Sequence, residues 1–228
     1  MQRLVSLPEI PLNLFYSLPA NTGYMPITVL GFAGSPRRHG NSETLLDWVL
    51  AAMASEPDVE VEKVVVVDAG IGPCRGCNAC ERTGACVQQD GMTPLYDRIL
   101  EADCVVLAAP IYCLGLPAQA KALIDRAQVY RSRRYVLGWP VIPEERRGKR
   151  IGLFLSTAGQ AWDHVFDAAI PSVKCFFHVA GFRERDLRYL LVRSVDESGA
   201  IRRHPTASEE ARALGHEVAT TLRERIGA

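Results

Sequence analysis

Ile27-Thr28-Val29-Leu30-Gly31-Phe32-Ala33, followed by Gly34-Ser35-Pro36-Arg37-Arg38-His39-Gly40-Asn41-Ser42-Glu43-Thr44, is the stretch on which the fold turns. A near-continuous apolar run of this length reads as a strand buried on both faces, as in a parallel sheet. Glycine, serine and proline end it in a tight loop. A helix opens behind the loop, with Asn41 or Ser42 as N-cap and Leu45, Val49 and Met53 along one side. Strand, loop and helix in that order form the first half of a βαβ unit.

The same alternation continues down the chain. Val59–Val67 reads as the second strand, and Thr93-Pro94 as N-cap and first residue of a short helix carrying Leu95 and Ile99. Cys104–Ala109 is the third strand. Pro117 begins a helix whose Ala120, Leu123, Ile124 and Ala127 make one apolar stripe, and residues 132–149 read as a polar excursion. Ile151–Ser156 is the fourth strand, followed by a helical stretch kinked at Pro171 and ending at Gly181. Leu187–Val192 is the fifth strand, and 207–226 a final amphipathic helix. Five strands separated by helices specify an α/β fold, a parallel sheet covered on both faces. Ligands bind such sheets at the carboxyl ends of the strands, so loops 34–41, 68–91, 110–116 and 156–161 are expected on one rim.

Composition narrows the function classes. The chain has 228 residues, read as a short N-terminal arm (1–25) and one domain (26–228). Three prolines interrupt the apolar content of the arm, which therefore reads as irregular rather than as a signal peptide. Lys+Arg and Asp+Glu are both 26, so no basic excess points to nucleic acid. No apolar run reaches the roughly 18 residues of a membrane span. Cysteine is the outlier: seven in all, four of them within thirteen residues. An odd, clustered set reads as a metal or redox site in a reducing, cytoplasmic compartment rather than as a disulfide framework.

Two loops carry chemistry. Loop 34–44 lacks the spacing of a dinucleotide-binding turn and the Gly-Lys of a P-loop. It does place Ser35, Arg37, Arg38, Asn41, Ser42 and Thr44 around a helix N-terminus, a set suited to a terminal phosphate monoester. The alternative is a capped turn with solvated arginines, and His39 reads as a surface residue. In loop 72–91, Cys74-x2-Cys77-x2-Cys80-x5-Cys86 lets three thiolates wrap a compact corner and a fourth close a 4Fe-4S cubane. Gly72, Gly76 and Gly84 permit the turns this needs. Zinc, a dithiol/disulfide centre and reduced thiols that bind nothing are the other readings of the same residues.

Three ordered motifs now resemble one family. Gly34-Ser35-Pro36-Arg37-x-x-Gly40-Asn41-Ser42 after an apolar strand, Ala109-Pro110-Ile111-Tyr112 with Pro117 behind it, and Lys121-Ala122-Leu123-Ile124-Asp125-Arg126 are similar to motifs of the NAD(P)H-dependent FMN reductases. The resemblance runs from about residue 26 to about 182. It implies a flavodoxin-like three-layer sandwich with strand order 2-1-3-4-5. It implies FMN, its phosphate held around Ser35, Arg37, Asn41, Ser42 and Thr44. The ring would lie against Pro110, Ile111, Tyr112, Cys113, Leu114 and Gly115, with the Ser156-Thr157-Ala158-Gly159 loop at its other edge. The cysteine spacing, with Asp90-Gly91-Met92 behind it, resembles the iron–sulfur flavoprotein branch and implies Cys74, Cys77, Cys80 and Cys86 as cluster ligands. By the same resemblance the chain is an FMN-dependent oxidoreductase and a homodimer or homotetramer. Its electron donor would be NAD(P)H or a ferredoxin-like protein, and its acceptor a small molecule.

Two other functions fit the same residues: a cluster-free NAD(P)H-dependent FMN or quinone reductase, and a non-enzymatic flavodoxin-like electron carrier or thiol redox sensor. No side chain stands out as a general acid or base. Cys104 and Cys175 read as small core residues. Cys113 reads as packing, with a role towards the flavin as the alternative. His164 and His178 read as ordinary helix residues. Arg131, Arg133, Arg134, Arg146, Arg147, Lys149 and Arg150 read as a local basic surface. Tyr130, Tyr135 and Trp139 are candidates to cap a flavin across a subunit interface.

Overall fold

The run Ile27–Ala33 is a strand (β1), and every residue in it but Thr28 is buried, because it is an interior strand of the sheet with helices over both faces. The computed structural model describes residues 26–227, so the arm expected over 1–25 lies outside the described residues. The other strands are β2 (Val59–Val65), β3 (Cys104–Pro110), β4 (Ile151–Thr157) and β5 (Leu187–Val192). All pair in parallel, in the order β2-β1-β3-β4-β5, with Ala33 opposite Val65 on one side and Ala108 on the other. The chain winds outward from β1 in both directions, so the ends of β1 and β3 form the topological switch point. This is the flavodoxin-like fold.

Among the described residues seven α-helices complete the three layers: α1 (Asn41–Ala54), α2 (Cys80–Thr83), α3 (Leu95–Glu101), α4 (Ala118–Arg126), α5 (Gln128–Tyr135), α6 (Ile170–Val179) and α7 (Ala207–Gly227). Side chains alternate across the sheet, as the two-residue period of a strand requires. On β3, Cys104, Val106 and Ala108 join Leu45, Val49 and Met53 of α1 and Leu222 of α7 in one core. Val105 and Leu107 face the other way, into a core with Ile99, Leu123, Tyr130 and Phe176 from α3, α4, α5 and α6. Helices α1 and α7 approach so closely that a Cβ on Gly215 would lie 2.7 Å from the Val49 carbonyl oxygen. Among the described residues no helix is long and apolar enough to cross a membrane.

Several boundaries differ from those read in the sequence. β2 stops at Val65 rather than Val67, because β1, its one neighbour among the described residues, turns away into its loop at Gly34. The helix expected to open with Thr93 and Pro94 begins at Leu95, with Pro94 as its N-cap; the Thr93 hydroxyl instead accepts the Asp90 N–H at 3.1 Å. Pro171 sits in the first turn of α6, where its missing N–H costs nothing, and kinks no helix. The supposed excursion at 132–149 opens inside a helix, α5. Its arginines are good helix formers, and Val129, Tyr130 and Ser132 supply the buried side.

The packing also reassigns single residues. Cys104 is buried as expected, but Cys175 is exposed on the outer side of α6. Arg150 is no part of a basic surface: it is 1 % exposed, and its guanidinium donates to the carbonyls of Ala102 and Ala180 at 2.8 Å and to that of Ile99. Arg146 is tied down by Leu100 and Glu101 carbonyls and by Asp103 at 2.7 Å. Tyr130 is fully buried, its hydroxyl donating to Tyr96 O at 2.7 Å, so it caps nothing outside; Tyr135 and Trp139 are exposed. His164 lies in a turn before α6, exposed.

Candidate functional site

In a parallel sheet the carboxyl ends of all strands point one way, so the loops leaving Ala33, Val65, Pro110 and Thr157 share one rim. Backbone bonds stitch them together: Gly34 N to Ala108 O at 2.7 Å, Val66 N to Ala33 O at 3.0 Å and Ile111 N to Thr157 O at 2.9 Å. A Cβ on Gly34 would lie 2.9 Å from the Ala120 Cβ, which explains glycine at the first residue of the loop.

Behind that glycine the chain runs into α1, whose N-cap is Gly40 and not Asn41 or Ser42. Gly40 has no capping side chain, so the N–H groups of Asn41, Ser42 and Glu43 are left at an uncapped helix start, as an anion requires. Ser35, Ser42 and Thr44 are buried beside it, while Arg37 is exposed at the loop tip. Ser35 Oγ accepts the Arg37 N–H at 3.0 Å and so sets the turn. The donor set therefore fits a phosphate.

Asn41 has a different occupation. Its amide donates to Val195 O at 3.0 Å and Glu197 O at 2.8 Å, and its oxygen accepts Ile201 N–H at 3.2 Å. Both side-chain donors are thereby spent, leaving the backbone N–H as what Asn41 can offer an anion. Thr44 faces the same way, where Arg202 reaches its hydroxyl at 3.4 Å.

Glu43 brings a buried carboxylate to this helix start. Burial opposes its charge, but Lys63 at 2.8 Å, the His39 N–H at 2.5 Å and the charge of Arg38 outweigh that and hold its pKa below the usual value. A depressed carboxylate stabilises the fold above its unfolded pKa, and that contribution is lost as pH falls through the folded value. Glu43→Gln should therefore flatten the loss of stability below about pH 4.5, read as urea midpoints at pH 7 and at successively lower pH. An acid limb as steep in the variant as in the parent would contradict this.

The loop after β3 is a tight hairpin. Tyr112 and Gly115 exchange both backbone bonds at 2.9 Å around Cys113 and Leu114, whose φ angles are +50° and +62°. Left-handed backbone at two consecutive non-glycine residues is strained, and such strain gathers at functional loops. It leaves Tyr112, Cys113 and Leu114 exposed above Pro110, with Ile111 packed on Ala158, Val165 and Phe166. Ser156 and Thr157 are buried in the sheet, Ser156 donating to Ala109 O at 2.8 Å. Gly159 lies against Asp196, whose carboxylate would be 2.7 Å from a Cβ there.

The cysteine loop follows β2. All four thiols are free; Cys74 and Cys77 are exposed, and Cys80 and Cys86 pack partly buried against the core. Cys80 Sγ lies 3.2 Å from Ser132 Oγ. Burial opposes ionisation of Cys86, yet the Gln88 N–H, the Tyr96 hydroxyl and the Arg126 charge together hold its pKa below the usual thiol value. Left-handed backbone at Gly76, Asn78 and Gly84 coils the loop. Among the described residues no three His, Cys, Asp or Glu side chains come close enough to hold a metal ion. The donor set suits an iron–sulfur cluster by type and number, with Cys80 and Cys86 seated and Cys74 and Cys77 extended outward. Beside Gly72 opens a cavity of about 390 Å³ lined by Val66, Val67, Gly70, Ile71, Gly72 and Gln119; none of the residues expected to hold flavin lines it.

Sequence reading missed the residues that hold this loop in place. Arg126, with its side chain 1 % exposed, pairs with Asp90 at 2.6 Å and donates to Gly72 O at 3.0 Å and Tyr96 Oη at 3.1 Å. Both residues stand in motifs quoted above, Arg126 in Lys121–Arg126 and Asp90 in Asp90-Gly91-Met92, but nothing local pairs them across the loop.

The model of a family described as NADPH-dependent FMN reductase matches residues 27–165. The chain is 40% identical over 109 residues to an iron-sulfur flavoprotein of Archaeoglobus fulgidus, covering 48% of this chain and 49% of that protein. It is 30% identical over 153 residues to the iron-sulfur flavoprotein of Methanosarcina thermophila, covering 67% and 74% respectively. Thus it spans about half the length of the first of these relatives and about three quarters of the second. In fold it is similar to the FMN-dependent NADH-azoreductase of Bacillus anthracis in complex with FMN, with a TM-score of 0.59 and 17% identity over 86% of this chain and 100% of that one.

Proposed function

The chain belongs to the NADPH-dependent FMN reductase family, in its iron–sulfur flavoprotein branch, and from that premise we propose that it is an FMN-dependent oxidoreductase whose cysteine loop carries a 4Fe-4S cluster. One observation carries the reading: the uncapped start of α1, the strained 110–115 hairpin and the four free thiols all lie on loops of one sheet rim. When bound, FMN supplies one- and two-electron chemistry and the cluster one-electron steps.

The chain's own residues then bind and orient. The N–H groups of Asn41, Ser42 and Glu43, with the Ser35 and Ser42 hydroxyls, hold the phosphate. The hairpin at Cys113 and Leu114 presents backbone and apolar surface to the ring. Cys74, Cys77, Cys80 and Cys86 hold the cluster, which requires the outer half of the loop to close over the seated inner half. NAD(P)H or a ferredoxin-like protein would supply electrons to a small-molecule acceptor, in a homodimer or homotetramer.

Anaerobic purification tests this. The expected product carries FMN and about four iron atoms per chain. Cys77→Ser should lose the iron and keep the flavin. Flavin without iron in the parent protein would replace this reading with a cluster-free reductase. Rapid bleaching of the flavin by NADPH would favour a reductase over a carrier, and no bleaching by NADPH would point to a protein donor.

A further inference from the structure

All four cysteines lie between Gly72 and Gln88, and those two residues are drawn together at the neck of the loop. Arg126 Nη1 donates to Gly72 O at 3.0 Å and its Nη2 to Gln88 O at 3.4 Å. Asp90, paired with Arg126, accepts the Gly72 N–H at 3.0 Å and the Met92 N–H at 3.0 Å. The Gln88 side chain adds a bond to Pro73 O at 3.2 Å. Arg126 is itself fixed from below, with Nε on the Tyr96 hydroxyl, which donates back to Arg126 O at 3.3 Å.

We propose that Arg126, with Asp90, is the positioning residue of the cysteine loop: it closes the loop at its neck and so fixes both ends of the segment that carries the four thiols. Two facts single it out from general scaffolding. Its guanidinium bridges the incoming and outgoing strands of the loop, so removing it frees both at once. It also ends α4, the helix that begins directly after the 110–116 hairpin, so one rigid element of about 13 Å joins the flavin-flanking loop to the neck. Outer partners of this kind govern metal affinity without touching the metal. The inference rests on the cluster reading for its iron arm only.

The test uses the anaerobically purified, FMN-loaded protein as parent, Arg126→Gln, Arg126→Lys and Asp90→Asn. Iron loss to a chelator should quicken on the order of ten-fold in Arg126→Gln and Asp90→Asn, at unchanged FMN content, with Arg126→Lys intermediate. Tryptic cleavage after the exposed Arg75 and Arg82 of the iron-free, FMN-loaded forms should quicken in the same order. Parallel loss of FMN and iron, or cleavage and iron loss at the parental rates, overturns the proposal. Should Arg126→Gln fail to fold, Asp90→Asn decides alone. A parent without iron defeats the cluster reading, while the tryptic arm still decides the neck.

Discussion

Replacing Arg150 with alanine lowers the stability of the fold by about 4 kcal/mol. The side chain enters the core without a bonded carboxylate, and burial presses its pKa down to about 9, which still leaves it charged at neutral pH. What compensates the charge is its location. Ile99 and Ala102 lie at the C-terminal end of α3 and Ala180 at that of α6, so the guanidinium takes orphan carbonyls from two helices at once. Both helix dipoles point their negative ends at it. The Phe182 ring lies 3.9 Å below the guanidinium carbon. Alanine leaves three buried carbonyls unpaired and a void beside Phe182. Lysine keeps the charge but cannot fork to three acceptors, and should recover less than half of the loss. Urea unfolding of the three proteins at pH 7 measures this; a loss under about 1 kcal/mol for alanine would mean that water replaces the side chain without cost.

Gly91→Ala should cost about 3 kcal/mol, for a different reason. A Cβ at Gly91 would sit 1.5 Å from the Ala69 carbonyl oxygen and 2.6 Å from its carbon. The obstacle is backbone, so no rotamer change relieves it, and the 69–70 segment or the Asp90 turn must move bodily. Gly76→Ala is the matched comparison. It has open space around it but a φ of +64°, and should cost only about 1 kcal/mol. Midpoints of urea unfolding separate the two, and equal losses would refute the steric argument. Displacement at Gly91 also moves Asp90, so the alanine variant should expose the cysteine loop to trypsin as Asp90→Asn does.

The parts legible in the sequence are those whose pattern is local. β1 and β5 occupy the residues read for them, because apolar runs ended by loop residues need no distant partner to be recognised. The rim was legible too, since parallel order and loop position follow from strand and helix alternation. Side-chain direction was not. Asn41 looked like a cap or a ligand because its neighbours are, yet its partners lie beyond β5. Arg150 sits in a run of basic residues and is buried only because two helix ends converge there. Cys175 is one position away from the buried stripe of Val173, Phe176 and Phe177, and a helix whose start was not located at Ile170 could not be phased that finely from sequence. The same lack of phase hid Arg126, whose partner Asp90 is 36 residues away.

The bonds of Asn41 have a consequence for how the protein is made. The loop that starts α1 leaves the ribosome early, while Val195, which its amide holds, is 154 residues further along. At cellular elongation rates that interval lasts on the order of ten to thirty seconds. Through all of it the turn that starts α1 lacks the segment that holds the Asn41 side chain. Under the proposed function, a flavin present during synthesis would meet its phosphate site complete only after the residues that follow β5 have been delivered, which makes cofactor capture a late event of biogenesis.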